Sequence, residues 1–318
     1  MLKITILEPL GVNEVQLREI AKPITDKGHE LVIYNEKTRD VEVLKERVKD
    51  TDVLIIANSP LEGEVIRAAE KLKMISVAFT GYDHVDLDAC KKKGITVSNA
   101  AGYSTSSVAE LTYGLMFCLL RKVVSLDKVT REGGTMAGYR QNDLYGKTLG
   151  VVGVGAIGKN VARIGLAFGC EVLAYNRSQD EELVKEGVKY VDLDELLKAS
   201  DIVSVHLPLT DETRGLISEE KLKLMKKDAL LINTARGPII DNEALAKALN
   251  EGWIAGAGID VFDMEPPLPA DYPLLKAKNA VLTPHIGFAT EEAMVRRAHI
   301  AFANVEKWME GSPQNVVL

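Results

Sequence analysis

The sequence predicts an α/β protein built from two doubly wound parallel-sheet domains. Three observations carry that expectation. At 318 residues the chain exceeds what one hydrophobic core normally serves. Short apolar runs alternate with charged, amphipathic segments from end to end, the pattern of strands covered by helices on both faces. A glycine triplet, Gly153-x-Gly155-x-x-Gly158, stands between one such run and one such segment.

In chain order, apolar runs at 4–7, 31–34, 53–56, 74–79 and 95–98 read as five strands, with amphipathic stretches such as 41–49 and 64–71 between them. This first series ends near Ala100. Residues 104–129 read as one long helix, with Ser104 or Thr105 as its cap. A second series opens with 148–152 and continues through 172–175, 202–205, 230–233, 257–261 and 281–283, which is six strands or more. Residues 291–310 form a last helix that crosses back, so that the tail 313–318 completes the first domain. The expected domains are residues 1–100 with 290–318, and residues 101–289, with a cleft between.

Composition bounds the function. Hydrophobic residues make up 46% of the chain and charged residues 27%, ordinary values for a globular protein. A formal charge of −7 and a pI near 5.5 argue against a nucleic-acid partner, which would meet a basic patch. Cys90, Cys118 and Cys170 are sparse, odd in number and outside any metal-ligand spacing. They read as small buried hydrophobes in a reducing compartment, and no metal is expected. The chain opens directly into a strand, and its most apolar stretch, 111–120, is too short to span a bilayer. A cytoplasmic protein with no membrane partner is the expectation.

The glycine triplet gains meaning from its context. It follows the strand 148–152 and opens a helix at 157–168, and the strand 171–175 arrives at βαβ spacing. Gly153, Gly155 and Gly158 permit a tight turn, and Ala156 and Ile157 bring backbone amides to a pyrophosphate at the helix N-terminus. The end of the next strand should meet the adenosine ribose, where an acidic residue would repel a 2′-phosphate. This chain has Asn176-Arg177-Ser178 there. Neutral Asn176 removes the repulsion, and Arg177 with Ser178 offers a phosphate site, so NADP is favoured over NAD.

Three further clusters end strands of the second series: Asn233-Thr234-Ala235-Arg236-Gly237, Asp260-Val261-Phe262-x-x-Glu265-Pro266 and Thr283-Pro284-His285-Ile286-Gly287. Ligands of open α/β sheets bind outside the carboxyl ends of strands, so a guanidinium, a carboxylate and an imidazole should face one crevice. Other segments add to the pattern: Thr80-Gly81-Tyr82-Asp83-His84-Val85-Asp86, Val108-Ala109-Glu110, His206-Leu207-Pro208-Leu209-Thr210 and Gly252-Trp253-Ile254-Ala255-Gly256. With them, nearly the whole chain resembles the D-isomer-specific 2-hydroxyacid dehydrogenases. The segment Ser98-Asn99-Ala100-Ala101-Gly102-Tyr103-Ser104-Thr105 is most similar to the glycerate dehydrogenase (hydroxypyruvate reductase) branch.

The resemblance implies a flavodoxin-like substrate domain, a Rossmann cofactor domain and an oxidoreductase acting on a small 2-oxoacid, hydroxypyruvate or glyoxylate. A D-lactate or branched-chain dehydrogenase is the alternative. Arg236 would grip the substrate carboxylate with its planar fork. His285 would protonate the carbonyl oxygen, and Glu265 would fix the histidine tautomer. Asp260 would support the cofactor or the arginine. His206, Pro208, Thr213, Thr234, Ala235 and Gly287 join the cofactor set, and Asn58, Leu61, Thr80, Gly81 and Tyr82 the substrate set. A phosphorylated substrate is disfavoured because 58–61 and 80–86 hold no extra cation. A non-catalytic corepressor-like protein on the same scaffold is the competing class, disfavoured by the lack of a basic arm. A homodimer is expected, supported by the apolar stretch 111–124.

Overall fold

The computed structural model describes residues 1–318. The chain divides into two compact units, one of Met1–Ser104 with Ala289–Leu318 and one of Thr105–Phe288.

The first unit holds β1 (Lys3–Ile6), β2 (Glu30–Ile33), β3 (Val53–Ile56), β4 (Met74–Val77) and β5 (Thr96–Asn99). All are parallel, in the order β2-β1-β3-β4-β5 of a doubly wound sheet. β3 and β4 are buried along their whole length, as parallel strands covered on both faces must be. Helices start where chemistry prefers: Asn13, Asp40, Asp86 and Thr290 each accept a first-turn amide with their side chains. The helix Glu291–Met309 places Ala298, Ala301, Phe302 and Val305 in one core with Ile4, Ile6, Val53 and Ile55. The tail then pairs with β5: Val317 donates to the Val97 carbonyl at 2.8 Å, and Asn99 to that of Asn315 at 3.0 Å. That pairing covers an edge which would otherwise be bare.

The second unit holds β6 (Thr148–Val152), β7 (Glu171–Tyr175), β8 (Lys189–Tyr190), β9 (Ile202–Val205), β10 (Leu230–Asn233), β11 (Gly256–Ile259) and β12 (Ala280–Leu282). The order is β12-β11-β10-β9-β6-β7-β8, all parallel. From β6 the chain winds one way to β7 and β8, then returns to β9 on the other side, so β6 and β9 flank the switch point. The two-residue β8 is too short to show any periodicity in sequence.

The single helix expected over 104–129 is two helices, Thr105–Leu120 and Val123–Arg131. Lys122 between them has φ +55°, a left-handed conformation that ends the hydrogen-bond ladder. Asn142 donates to the freed Leu120 carbonyl at 3.0 Å. The first helix buries Leu115, Met116, Leu119 and Leu120 within its own unit. Most of the apolar stretch offered for dimerisation is therefore core, and of its large apolar side chains only Val123 and Val124 stand exposed. No helix is long and apolar enough to cross a membrane.

Candidate active site

Arg236, Glu265 and His285 follow β10, β11 and β12, three neighbouring strands, beyond their carboxyl ends. β12 is half-buried because it forms the sheet edge. His285 Nδ1 lies 2.9 and 3.0 Å from the two Glu265 oxygens. An ionised carboxylate only accepts, so Nδ1 is the donor and Nε2 is the ring atom left to change protonation. The Phe288 ring stands edge-on to the imidazole, with centroids 5.2 Å apart. Exposure is unequal: 15% for the histidine side chain and 66% for the glutamate.

Arg236 is set in place by Asn233, the buried last residue of β10. Asn233 Nδ2 donates to the Arg236 carbonyl at 3.0 Å, and its Oδ1 accepts the Ala235 amide at 3.0 Å. The guanidinium Nη1 donates back to the Ala235 carbonyl at 2.8 Å. Gly237 lies directly on the exit of β11, and a Cβ there would stand 1.9 Å from the carbonyl carbon of Phe262. Only glycine lets the Arg236 turn close onto the segment that leads to Glu265.

Asp260, expected to serve the cofactor or the arginine, holds the histidine loop. It is 1% exposed. Its Oδ1 accepts from the Thr283 hydroxyl at 2.6 Å and the Ile286 amide at 2.8 Å, and its Oδ2 from the Gly287 amide at 2.8 Å. A buried carboxylate needs such partners, and the amides of its own loop supply them. Gly287 therefore binds Asp260, where a Cβ would stand 3.0 Å from Oδ2.

In the glycine loop, Gly153 has φ +96°, and a Cβ there would stand 2.8 Å from the His206 carbonyl carbon and the Leu207 nitrogen. A Cβ on Gly158 would stand 2.0 Å from the Gly153 carbonyl oxygen, so the helix seats directly on the turn. Gly155 is the opposite case, with nothing within 4 Å of a Cβ. The helix Ala156–Ala167 begins there without a side-chain cap. Uncapped first-turn amides of Ala156, Ile157 and Gly158 beside open space fit a pyrophosphate.

Asn176 Oδ1 accepts the Val154 amide at 3.3 Å and its Nδ2 donates to the Ser178 carbonyl at 2.9 Å, tying the glycine loop to the exit of β7. Arg177 and Ser178 are exposed beside it. Glu212 lies within electrostatic reach of Arg177; the Thr210 hydroxyl, at 2.6 Å, does most to hold its carboxyl below the usual range. The His206 amide donates to the Val152 carbonyl at 2.7 Å, and its Nε2 meets the Ser204 hydroxyl at 2.8 Å. Burial pushes this imidazole down to about 3, so it is neutral.

Two hydroxyls assigned to the cofactor are engaged within the fold. Thr213 Oγ1 donates to the Pro208 carbonyl at 2.7 Å and accepts the Thr210 amide at 2.8 Å, shaping the turn after β9. Thr234 donates to Thr112 Oγ1 at 2.9 Å, since Thr112 itself donates to the Val108 carbonyl at 2.8 Å.

In the other unit, residues 58–61 and 80–86 follow β3 and β4 and are zipped together. Leu61 donates to the His84 carbonyl at 2.9 Å, and Asp86 to that of Leu61 at 3.2 Å. Leu61 is buried and packs inward; Thr80 and Tyr82 are exposed and Gly81 half-buried. Glu8, which the sequence reading missed, is buried beneath this segment. Its Oε1 accepts the Ala57 and Ser59 amides at 2.9 and 3.0 Å, and its Oε2 the Ser59 hydroxyl at 2.6 Å. A charge directly after the apolar run 4–7 was the available signal. Lys37 Nζ donates to Asn58 Oδ1 at 3.1 Å and lies 3.7 Å from Glu8 Oε2, so the cation that the fold brings to 58–61 is already paired with a carboxylate.

A family model described as D-isomer specific 2-hydroxyacid dehydrogenase, NAD binding domain, matches residues 113–287. The glyoxylate reductase of Korarchaeum cryptofilum is 44% identical over 286 residues, 86% of this chain and 85% of its own. The hydroxypyruvate reductase of Blautia hydrogenotrophica is 36% identical over 296 residues, 91% of this chain and 92% of its own. Among solved structures, D-lactate dehydrogenase from Aquifex aeolicus, complexed with NAD and lactic acid, matches with a TM-score of 0.84 at 31% identity. That match covers 98% of this chain and 96% of the other.

Proposed function

We propose that this chain, which belongs to the D-isomer specific 2-hydroxyacid dehydrogenases, reduces a small 2-oxoacid to the D-2-hydroxyacid with a nicotinamide cofactor. The observation that carries the reading is the His285–Glu265 pair, with Arg236 on the neighbouring strand of the sheet that bears the glycine loop. Along that carboxyl edge the order is His285, Glu265, Arg236, His206, the glycine loop and Asn176, after β12, β11, β10, β9, β6 and β7. Neighbouring strands lie about 4.8 Å apart, so roughly 14 Å separates the β7 and β10 exits. A dinucleotide laid across the switch point would have its adenosine at Asn176 and its nicotinamide toward Arg236.

The cofactor, when bound, supplies the hydride for the substrate carbonyl carbon. Arg236 presents its fork to the substrate carboxylate. Protonated His285 gives the Nε2 proton to the carbonyl oxygen and becomes neutral, with Nδ1 still donating to Glu265. In the direction of alcohol oxidation, neutral His285 takes that proton back.

Glyoxylate and hydroxypyruvate are the favoured substrates, because relatives spanning most of the chain carry those names. A D-lactate or branched-chain enzyme is the alternative. Asn176 and Arg177 favour NADP, and Glu212 opposes it. Residues 1–104 with 289–318 would form the substrate domain and residues 105–288 the cofactor domain. The exposed Val123 and Val124 support a homodimer, and a cytoplasmic location goes with the free thiols of Cys90, Cys118 and Cys170. Chiral analysis of the glycerate formed from hydroxypyruvate tests the reading; L-glycerate, or no turnover of any 2-oxoacid, would overturn it. Sedimentation tests the dimer, and a monomer at assay concentration would remove it.

A further inference from the structure

We propose that Tyr272 is a positioning residue that acts on His285 through Asp263 and Glu265. This rests on the catalytic reading of the Glu265–His285 pair. Glu265 is an exposed loop carboxylate, and holding it on one histidine costs conformational freedom that burial does not offset. The backbone before it must therefore be fixed by something else.

Tyr272 is that post. It is 5% exposed, and its ring meets Phe262 edge-on with centroids 5.7 Å apart. Its amide donates to the Pro269 carbonyl at 3.0 Å, and its carbonyl accepts the Leu275 amide at 3.0 Å. Leu274, in the short turn Pro273–Lys276, is fully buried and roots the post in the core. The Tyr272 hydroxyl donates to Asp263 Oδ1. Burial, and then the Asp263 carboxylate, push the phenol up, so it remains a donor at any working pH.

Asp263 lies two residues before Glu265, and Phe262 is the residue whose carbonyl carbon the Gly237 backbone approaches. One buried ring thus secures the segment that carries Glu265 and against which the Arg236 turn rests. A hydroxyl in this place serves geometry, since it touches neither member of the pair directly.

Tyr272→Phe removes the hydroxyl and keeps the ring on Phe262. Its kcat, KM, NADH affinity and melting temperature are compared with those of the parent, and the same change is made in a Glu265→Gln background. We expect kcat to fall about 10-fold in the parent background, with KM and cofactor affinity within about twofold. In the Glu265→Gln background the same change should cost nothing further, because the route to His285 is already broken. An unchanged kcat, or the same loss in both backgrounds, would overturn the proposal. Full kcat in Glu265→Gln alone would instead remove the reading of the site on which it rests. Should Tyr272→Phe fold poorly, Asp263→Ala breaks the same bond from the exposed side, with the same expected pattern.

Discussion

His285 keeps its left-handed backbone, at φ +58°, on Asp260: the Asp260 carbonyl accepts the His285 amide at 2.8 Å, while the carboxylate takes the next two amides. A side chain rarely adopts this conformation, so the surroundings must over-determine it. The imidazole is aimed by a buried carboxylate just beyond the neighbouring strand as much as by Glu265.

Replacing Asp260 with Asn puts an amide donor against one set of groups that now donate to the carboxylate: either Thr283 and Ile286, or Gly287. That mismatch should cost about 1–3 kcal/mol of unfolding free energy, read by urea denaturation, and lower kcat with it. An Asp260→Asn protein with parental stability and turnover would show that the loop holds without the carboxylate.

His285→Ala should lower kcat by about 10²–10⁴-fold while sparing cofactor affinity and melting temperature. Loss of cofactor binding in place of turnover would assign the residue a structural role. Nothing else on the β12 exit supplies a proton donor, since Thr283 is committed to Asp260.

Arg177→Ala should weaken NADPH about 10-fold and leave NADH within about twofold, the expected loss of one charge-assisted contact to phosphate. Glu212→Gln should act in the opposite sense and tighten NADPH, because it removes the acidic neighbour of Arg177. Equal effects of Arg177→Ala on both cofactors would withdraw the reason for favouring NADP.

Much of this was legible in the sequence because it depends on local patterns. Apolar runs of parallel strands, the strand–turn–helix setting of Gly153, Gly155 and Gly158, and polar residues just beyond strand ends are all visible without a structure. What escaped lies in pairings between distant segments. Asp260 and Gly287 meet only because β11 and β12 are neighbours, and Lys37 reaches Asn58 only because β1 lies between β2 and β3. Thr234 looked available at a strand end, yet its hydroxyl turns inward to Thr112. The sequence does not show that Asn233 clamps the turn after β10, or that Glu8, just past β1, clamps the turn after the neighbouring β3.

The His206 imidazole gives a pH signature in stability. Its folded-state pKa is lowered from 6.5 to about 3 by burial, so below 6.5 the unfolded chain binds a proton that the folded chain refuses. This contribution is fully present at neutral pH and is lost progressively as pH falls toward 3, at most about 1.4 kcal/mol per pH unit. Between about pH 6.5 and pH 4, His206→Gln should therefore lose stability less steeply than the parent, as read by urea denaturation. Identical slopes would mean that the ring takes up its proton without penalty.

The central claim is that this site reduces small 2-oxoacids by proton donation from His285. It is tested most directly by following nicotinamide oxidation with glyoxylate, hydroxypyruvate, pyruvate and longer 2-oxoacids, using NADH and NADPH, for the parent and His285→Ala. Turnover should be highest with glyoxylate or hydroxypyruvate and nearly abolished in His285→Ala. No turnover by the parent with any oxoacid and either cofactor would contradict the account and leave a non-catalytic, dinucleotide-binding protein in its place.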